Sequence, residues 1–542
     1  MAASFAEEAT HSAPAIRRYF GIGPLLAYPR LSALVLGAFA ALGFQPLSLW
    51  PLALLAMGAF VLGLMQAETV KRAFLLGWLF GFSHFTVVDN WIATAFTYQA
   101  EMPAILGWVA VPLLSIYLAI YPALAAAAAR WLSVKAGTSV FAVLFGGCWI
   151  VAEWLRSWVF TGYSWGPFSL ALVGPFDRSG LAALLPLTGT YALSGIAVMV
   201  ATLWVASIVE RRWIVAAVTG VLLAGGMYWP ARGAEQGSLP VTLVQPDIRQ
   251  DDLDNPSLYE NHFAKIRALS LAQRPSERRL VLWPESGVPD YLRDGYPQRY
   301  YDQMTAAGDP RFARWRIGQA IGENSLLMTG AVDLEIGGPA GFEKAVGAYN
   351  AVTVIDENGN LEASYAKAHL VPYGEYLALR WLLEPLGATR LVAGTIDFIP
   401  GPGPETLDLG AYGKAGVQIC YEIIFSGQVV EDGNRPDYIF NPSNDGWFGS
   451  FGPPQHLGQA RMRAIEEGLP VLRATTTGIS AIIDARGIVR EHIPMHRADR
   501  IDTVVPPAAP PTLFARLGHW LTLGWAAVLL VISSVAMRRR GS

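Results

Sequence analysis

The chain alternates long apolar runs with one extended polar stretch. Apolar segments of bilayer-crossing length, about 20 residues each, fall near 26–45, 51–67, 73–95, 103–129, 139–160, 192–210 and 213–229, and a further one near 518–537. Between 238 and 513 the pattern changes, as Asp, Glu, Arg, Gly and Pro mix with short β-rich runs. Strands are expected at 241–245, 279–283, 348–355, 415–420, 437–440 and 480–484, and helices at 257–272 and 455–467. Alternation of this kind favours a layered α/β sandwich. The expected architecture is a multi-pass α-helical membrane bundle of about eight spans carrying an α/β sandwich domain. Its parts are a helical region at 1–237, a globular domain at 238–513, and a last span with a basic tail at 514–542.

Composition agrees with a membrane protein. Of 542 residues, 53% are hydrophobic and only 15% charged, with a mean hydropathy of +0.33. A net charge of −3 and the lack of any Lys/Arg block within the globular stretch exclude a nucleic-acid partner, which needs a basic stripe. Basic residues sort by side. Arg17, Arg18 and Arg30 precede the first span; Lys71 and Arg72, Arg130 and Lys135, and Arg211 and Arg212 follow the second, fourth and sixth; Arg538, Arg539 and Arg540 end the chain. The opposite loops, 45–50 and 98–101, hold almost no Lys or Arg. The positive-inside rule therefore puts both termini in the cytoplasm and the globular stretch outside. No cleavable signal peptide is evident, so the first span is expected to remain as an anchor.

Of the two cysteines, Cys148 lies in an apolar run and Cys420 is alone in the globular stretch, so no disulfide forms within that stretch. Cys420 is a candidate nucleophile. A thiol at its ordinary pKa is little ionised at neutral pH and needs a base or a nearby cation; upstream stand Glu285, at the end of an apolar run, and Lys367. Lys367 and the backbone N–H of Tyr421 could stabilise a tetrahedral oxyanion. From residue types alone, a packed strand cysteine with two surface charges explains these positions equally well.

The contexts narrow that choice. Trp283-Pro284-Glu285-Ser286, Lys367-Ala368-His369-Leu370-Val371-Pro372 and Cys420-Tyr421-Glu422 resemble the nitrilase superfamily in motif and order. Within it, the spans, Pro372-Tyr373-Gly374-Glu375-Tyr376, Ser443-Asn444-Asp445-Gly446-Trp447-Phe448-Gly449, Gln455-His456, and Glu153-Trp154-Leu155-Arg156 with Phe160-Thr161-Gly162-Tyr163-Ser164-Trp165 resemble its membrane-embedded branch, the apolipoprotein N-acyltransferases. The resemblance covers nearly the whole chain. It implies an αββα sandwich and a Glu285-Lys367-Cys420 triad, with Glu375, Tyr421, Glu422, Trp447, Tyr373 and Tyr376 binding substrate or supporting the site. It also implies a thioester acyl-enzyme, a glycerophospholipid donor, a diacylglyceryl-modified lipoprotein acceptor, a bacterial inner-membrane location, and no cofactor. One departure stands out: the family's tryptophan after the Val-Gln-x-Asp-Ile strand is absent, and Ile248 leads into Arg249-Gln250-Asp251-Asp252-Leu253-Asp254.

Other positions carry open alternatives. The apolar run 373–386 is a bilayer-touching lid or a buried core helix. Trp447 and Phe448 form a membrane-dipping loop or core aromatics. His84 and Asp89 are polar groups at or near the spans and default to function; Glu153 and Arg156 form a structural ion pair or meet a phospholipid head group. His456 reads as structural, and no His/Cys/Asp set has metal-ligand spacing. Rival functions are a membrane-tethered amidase-like hydrolase and a transporter or receptor with an inactive sensor domain.

Overall fold

The computed structural model describes residues 27–541, apart from 99–103, 134–135, 232, 234, 254, 275–276, 340, 384 and 386–395. Arg17, Arg18, Gln99, Ala100, Glu101, Lys135, Asp254 and Leu386, invoked above, lie outside the described residues.

Helices form in each apolar segment. Among the described residues, four are long and apolar enough to cross a membrane: Ile105–Leu132, which turns at Ala119, Thr138–Arg156, Thr190–Val209 and His519–Arg539. Pro29–Ala41, Trp50–Leu64 and Trp213–Tyr228 are shorter. At 1.5 Å per residue a 13-residue helix such as Pro29–Ala41 spans only about 20 Å, less than a hydrocarbon core of about 30 Å. Val70–Val88 has 19 residues but carries Lys71 and Arg72 in its first turn and packs against Pro29–Ala41 and Ile120–Leu132. Large apolar side chains such as Ile214, Val221, Leu222 and Val531 face outward, as expected of a membrane-embedded bundle.

The polar stretch folds into two six-stranded sheets. In chain order the strands are β1 (Pro240–Gln245), β2 (Arg279–Leu282), β3 (Ser325–Gly337), β4 (Lys344–Asp356), β5 (Leu361–Ala366), β6 (Thr406–Asp408), β7 (Lys414–Val417), β8 (Tyr438–Ser443), β9 (Val471–Thr475), β10 (Ser480–Ile483), β11 (Val489–Ile493) and β12 (Asp499–Val504). One sheet runs β12-β1-β2-β3-β4-β5 and the other β11-β10-β9-β8-β7-β6. Leu243, Leu280, Leu282, Val352, Val417, Phe440 and Leu472 form the buried layer between them. On the first sheet, Tyr259–Ser270 and Pro310–Ile321 cover the outer face through Ile266, Trp283, Ile317 and Leu327.

The helix Gly452–Glu467 covers the second sheet, and every residue in it but Pro454 is buried. Its other side meets the helical bundle. Gln455 accepts a bond from Trp165 Nε1 at 2.8 Å, Arg461 donates to the carbonyls of Gly174, Pro175, Arg178 and Gly487, and Glu466 accepts from the N–H and hydroxyl of Thr190, both at 2.6 Å. Leu457, Ala460 and Ala464 share one apolar cluster with Phe80, Phe145 and Leu170 of the bundle.

Candidate active site

Three chain segments meet beside the helical bundle. Glu285 follows β2, Lys367 follows β5, and Cys420 begins a 3-10 turn, Cys420–Ile424, just after β7. The strand expected over 415–420 therefore ends at Val417, and Cys420 takes a left-handed backbone, φ 51°. A non-glycine residue there is held by its surroundings at some cost in strain. The turn straddles two cores: Cys420 packs between the sheets, whereas Tyr421, Ile423, Ile424 and Phe425 belong to the bundle's cluster. As the start of a helical turn, Tyr421 has a backbone N–H with no acceptor inside it.

Lys367 is 1% exposed, with Nζ 3.0 Å from each Glu375 oxygen and 3.7 Å from Oε1 of Glu285. Burial alone lowers the ammonium's pKa, but Glu375, then Glu285, Cys420 and Glu422, outweigh it and raise it above the usual lysine range. It is a fixed positive charge. Glu375 is locked in turn by the Val371 N–H, which donates to its Oε2 at 2.7 Å. Asn350 bridges the two acids: its Nδ2 donates to Oε1 of Glu285 at 2.7 Å and to Oε1 of Glu375 at 2.9 Å. The other Glu285 oxygen accepts from the Asn444 N–H at 2.8 Å.

Glu422 ties the lysine loop to the cysteine loop. Its Oε1 accepts from Tyr365 Oη and the N–H groups of Ala368 and His369, and its Oε2 from the Ile419 N–H. Sequence reasoning placed Glu375 and Glu422, gave Asn444 only as part of a motif and missed Asn350; both asparagines bond Glu285, 65 and 159 residues away.

Burial pushes the Cys420 thiol well above its ordinary value; Glu285 adds to the rise, and Lys367 opposes it. The resting group is a thiol with a carboxylate beside it, not a standing thiolate. Alkylation of Cys420 by a small haloacetamide is therefore expected to keep accelerating beyond pH 9. A rate already level near neutrality contradicts this reading.

The remaining expected residues sort as follows. Tyr373, Glu375 and Tyr376 form one tight turn, with the Tyr373 N–H donating to the Tyr376 carbonyl at 2.8 Å and Tyr373 itself at φ 64°. Beyond it Leu377 and Ala378 are buried, but Trp381 is 75% exposed and Leu382 also projects, so the run is not a buried helix. Phe448 stacks edge-on against Trp91, Trp165 and His456, as a core aromatic does, and Trp447 meets Tyr98. In place of an ion pair, Glu153 accepts from the Phe168 N–H while Arg156 donates to the carbonyls of Tyr163 and Trp165. His84 and Asp89 are buried in the bundle. Gln250, in the loop without the family tryptophan, accepts from Asn444 Nδ2 at 2.8 Å and so touches the site.

Cys420, Asp445 and His456 bring three possible metal-ligand atoms within 4.8 Å of one another, a grouping that sequence spacing did not reveal. Arg473 Nη2 already bonds both Asp445 oxygens, at 2.9 and 2.7 Å, and lies 3.0 Å from Nδ1 of His456. A dication there would have to displace a buried guanidinium, so these residues do not fit a metal.

Residues 36–203 match the apolipoprotein N-acyltransferase N-terminal domain, and 241–494 match carbon-nitrogen hydrolase. An apolipoprotein N-acyltransferase of Rhodopseudomonas palustris is 33% identical over 536 residues, covering 94% of this chain and 95% of that one. The chain belongs to the apolipoprotein N-acyltransferase family. A second member, from Bradyrhizobium diazoefficiens, is 35% identical over 539 residues with the same coverage. Among solved structures, a Nesterenkonia amidase is similar at 18% identity and a TM-score of 0.32, over 51% of this chain and 94% of its own.

Proposed function

We propose that this protein transfers a fatty acyl chain from a glycerophospholipid to the free α-amino group of a diacylglyceryl-cysteine lipoprotein, through a thioester on Cys420. The observation that carries this reading is the meeting of Glu285, Lys367 and Cys420 in one buried site, where the nucleophile's own turn packs into the membrane bundle. Family membership supports the substrate class.

In the first half-reaction Glu285 takes the thiol proton as sulfur attacks the ester carbonyl. Lys367 and the Tyr421 N–H hold the oxyanion. When the tetrahedral intermediate collapses, the C–O bond breaks and Glu285 returns the proton to the lysophospholipid oxygen. In the second, the acceptor amine attacks the thioester; Glu285 removes a proton from nitrogen, the C–S bond breaks, and the proton returns to sulfur. One base serves both halves, which gives ping-pong kinetics. Asn350 and Glu375 keep Glu285 and Lys367 in place, Tyr421 and Glu422 shape the floor, and Tyr373, Tyr376 and Trp447 line the approach. Neither step needs ATP, a metal or an organic cofactor.

In this reading residues 1–237 form the bundle, 238–513 the catalytic domain on the periplasmic side, and 514–542 the last span and tail. The bundle crosses the inner membrane about eight times, with both termini cytoplasmic, the shorter helices reaching across with their flanking turns. Exposed Trp381 and Leu382 touch the lipid surface as a lid.

The test is mass spectrometry of the purified protein after incubation with phospholipid and no acceptor. A hydroxylamine-labile acyl adduct on Cys420, absent from Cys420→Ala and discharged by a diacylated lipopeptide, is expected. If the adduct is discharged by water as fast as by lipopeptide, the hydrolase reading replaces this one; if none forms on the folded protein, Cys420 is not the nucleophile.

A further inference from the structure

His456 is fully buried, and its ring lies directly behind Cys420. Nε2 is 3.0 Å from the Cys420 carbonyl oxygen. The other side-chain donor near that oxygen, Asn441 Nδ2, is 3.5 Å away and closer to Gln418 O, at 2.6 Å. A carbonyl only accepts, so Nε2 must carry a proton to bond it. Nδ1 lies 3.0 Å from both Arg473 Nη2 and Asp445 Oδ1; with the proton on Nε2 it accepts from the guanidinium, which also bonds both Asp445 oxygens. Burial, followed by Arg473, lowers the imidazole's pKa and outweighs Asp445 and the Cys420 carbonyl, which raise it, in keeping with a neutral ring.

Arg473 binds more than this pair. Its Nη1 donates to Ser443 Oγ at 2.9 Å and to Asn441 Oδ1. Between Ser443 and Asp445 lies Asn444, whose N–H holds Glu285. One buried guanidinium thus organises both the segment that carries the donor to the base and the histidine that grips the backbone of the nucleophile. The Cys420 conformation, at φ 51°, is one a cysteine does not hold without such support.

We infer that His456, fixed by Arg473 and Asp445, is a positioning residue: its Nε2–H on the Cys420 carbonyl sets the left-handed backbone that aims the thiol at Glu285. The inference rests on the acyl-transfer reading above for its consequence, but not for its geometry.

Two substitutions separate the two ends of the ring. The amide of His456→Gln reaches the position of Nε2 and keeps a donor for Cys420; that of His456→Asn reaches only Nδ1 and keeps the Arg473 end. Acylation of Cys420 is followed in a single turnover with phospholipid, alongside haloacetamide alkylation of the same thiol. Thermal midpoints report whether each variant is folded. His456→Gln is expected to stay within about tenfold of wild type, and His456→Asn to lose on the order of 10²-fold in acylation rate with the half-saturating phospholipid concentration unchanged. Alkylation should change in His456→Asn but not in His456→Gln. Equal behaviour of two folded variants, or a loss confined to half-saturation, overturns the inference. If wild type takes no acyl group, the acyl-transfer reading fails, and the alkylation contrast still decides this one. Should either variant not fold, ¹⁵N-histidine NMR of wild type decides: a neutral ring protonated on Nε2 supports the inference, and an Nδ1–H tautomer overturns it.

Discussion

Lys367→Ala is expected to lose acyl transfer by at least ~10³-fold and to lower the thermal midpoint as well. The ammonium is the positive charge between Glu285 and Glu375, at 3.7 and 3.0 Å, and all three side chains are at most 10% exposed. Removing one partner from a buried ion cluster costs about 3–5 kcal/mol, because the charges left behind have neither water nor a counter-ion. The two acids offset only part of that cost by sharing a proton, and a shared proton takes away the base. Stability and activity therefore fall together, unlike in Cys420→Ala, where only activity should fall. Calorimetry with a single-turnover assay checks both; a variant with wild-type midpoint and activity within tenfold would sink the assigned role.

Glu422→Gln is the second large effect, on folding more than on chemistry. Four donors converge on this carboxylate. A glutamine can satisfy one side only, leaving an NH₂ facing other buried N–H groups, at a cost of ~2–3 kcal/mol. The effect also depends on pH. Burial raises the Glu422 carboxyl from 4.5 to about 7, against bonds from the His369 and Ile419 N–H groups and the Lys367 charge. The unfolded chain gives up this proton first, so the group's contribution is complete below pH 4.5 and is lost as pH climbs to about 7. The midpoint difference between wild type and Glu422→Gln should be widest near pH 4.5 and narrow toward 7. His369 has the opposite slope: burial, then Lys367, lower it from 6.5 to about 4, so its contribution is lost on acidification through that window. It is present in both proteins and cancels in the difference; a gap that widens with rising pH contradicts the assignment.

The catalytic candidates were legible because each lies in an unbroken motif at a strand end, where side chain and neighbours are fixed locally. Their supports were not. Asn350, Asn444, Asp445 and Arg473 act through contacts made by folding, and an asparagine or arginine in a strand carries no local mark of its partner. The left-handed Cys420 was read as strand because nothing in a cysteine signals positive φ. Strands β3, β5, β6, β9, β11 and β12 escaped notice; in the last two, Arg490, Glu491, His492, Arg500 and Asp502 blur the alternation. Apolar runs located the bundle helices but not Pro310–Ile321, and hydropathy overstated lengths: Trp50–Leu64 stops where the chain turns through Met65 and Gln66, short of the 51–67 expected.

The helix Gly452–Glu467 has a consequence for how the protein can be taken apart. Arg461 is bonded to backbone carbonyls on both sides of the junction, and Glu466 to the backbone of Thr190. Hybrids that pair the membrane half of one relative with the soluble half of another should succeed only when this helix and residues 163–190 come from the same parent, since together they behave as one transplantable part.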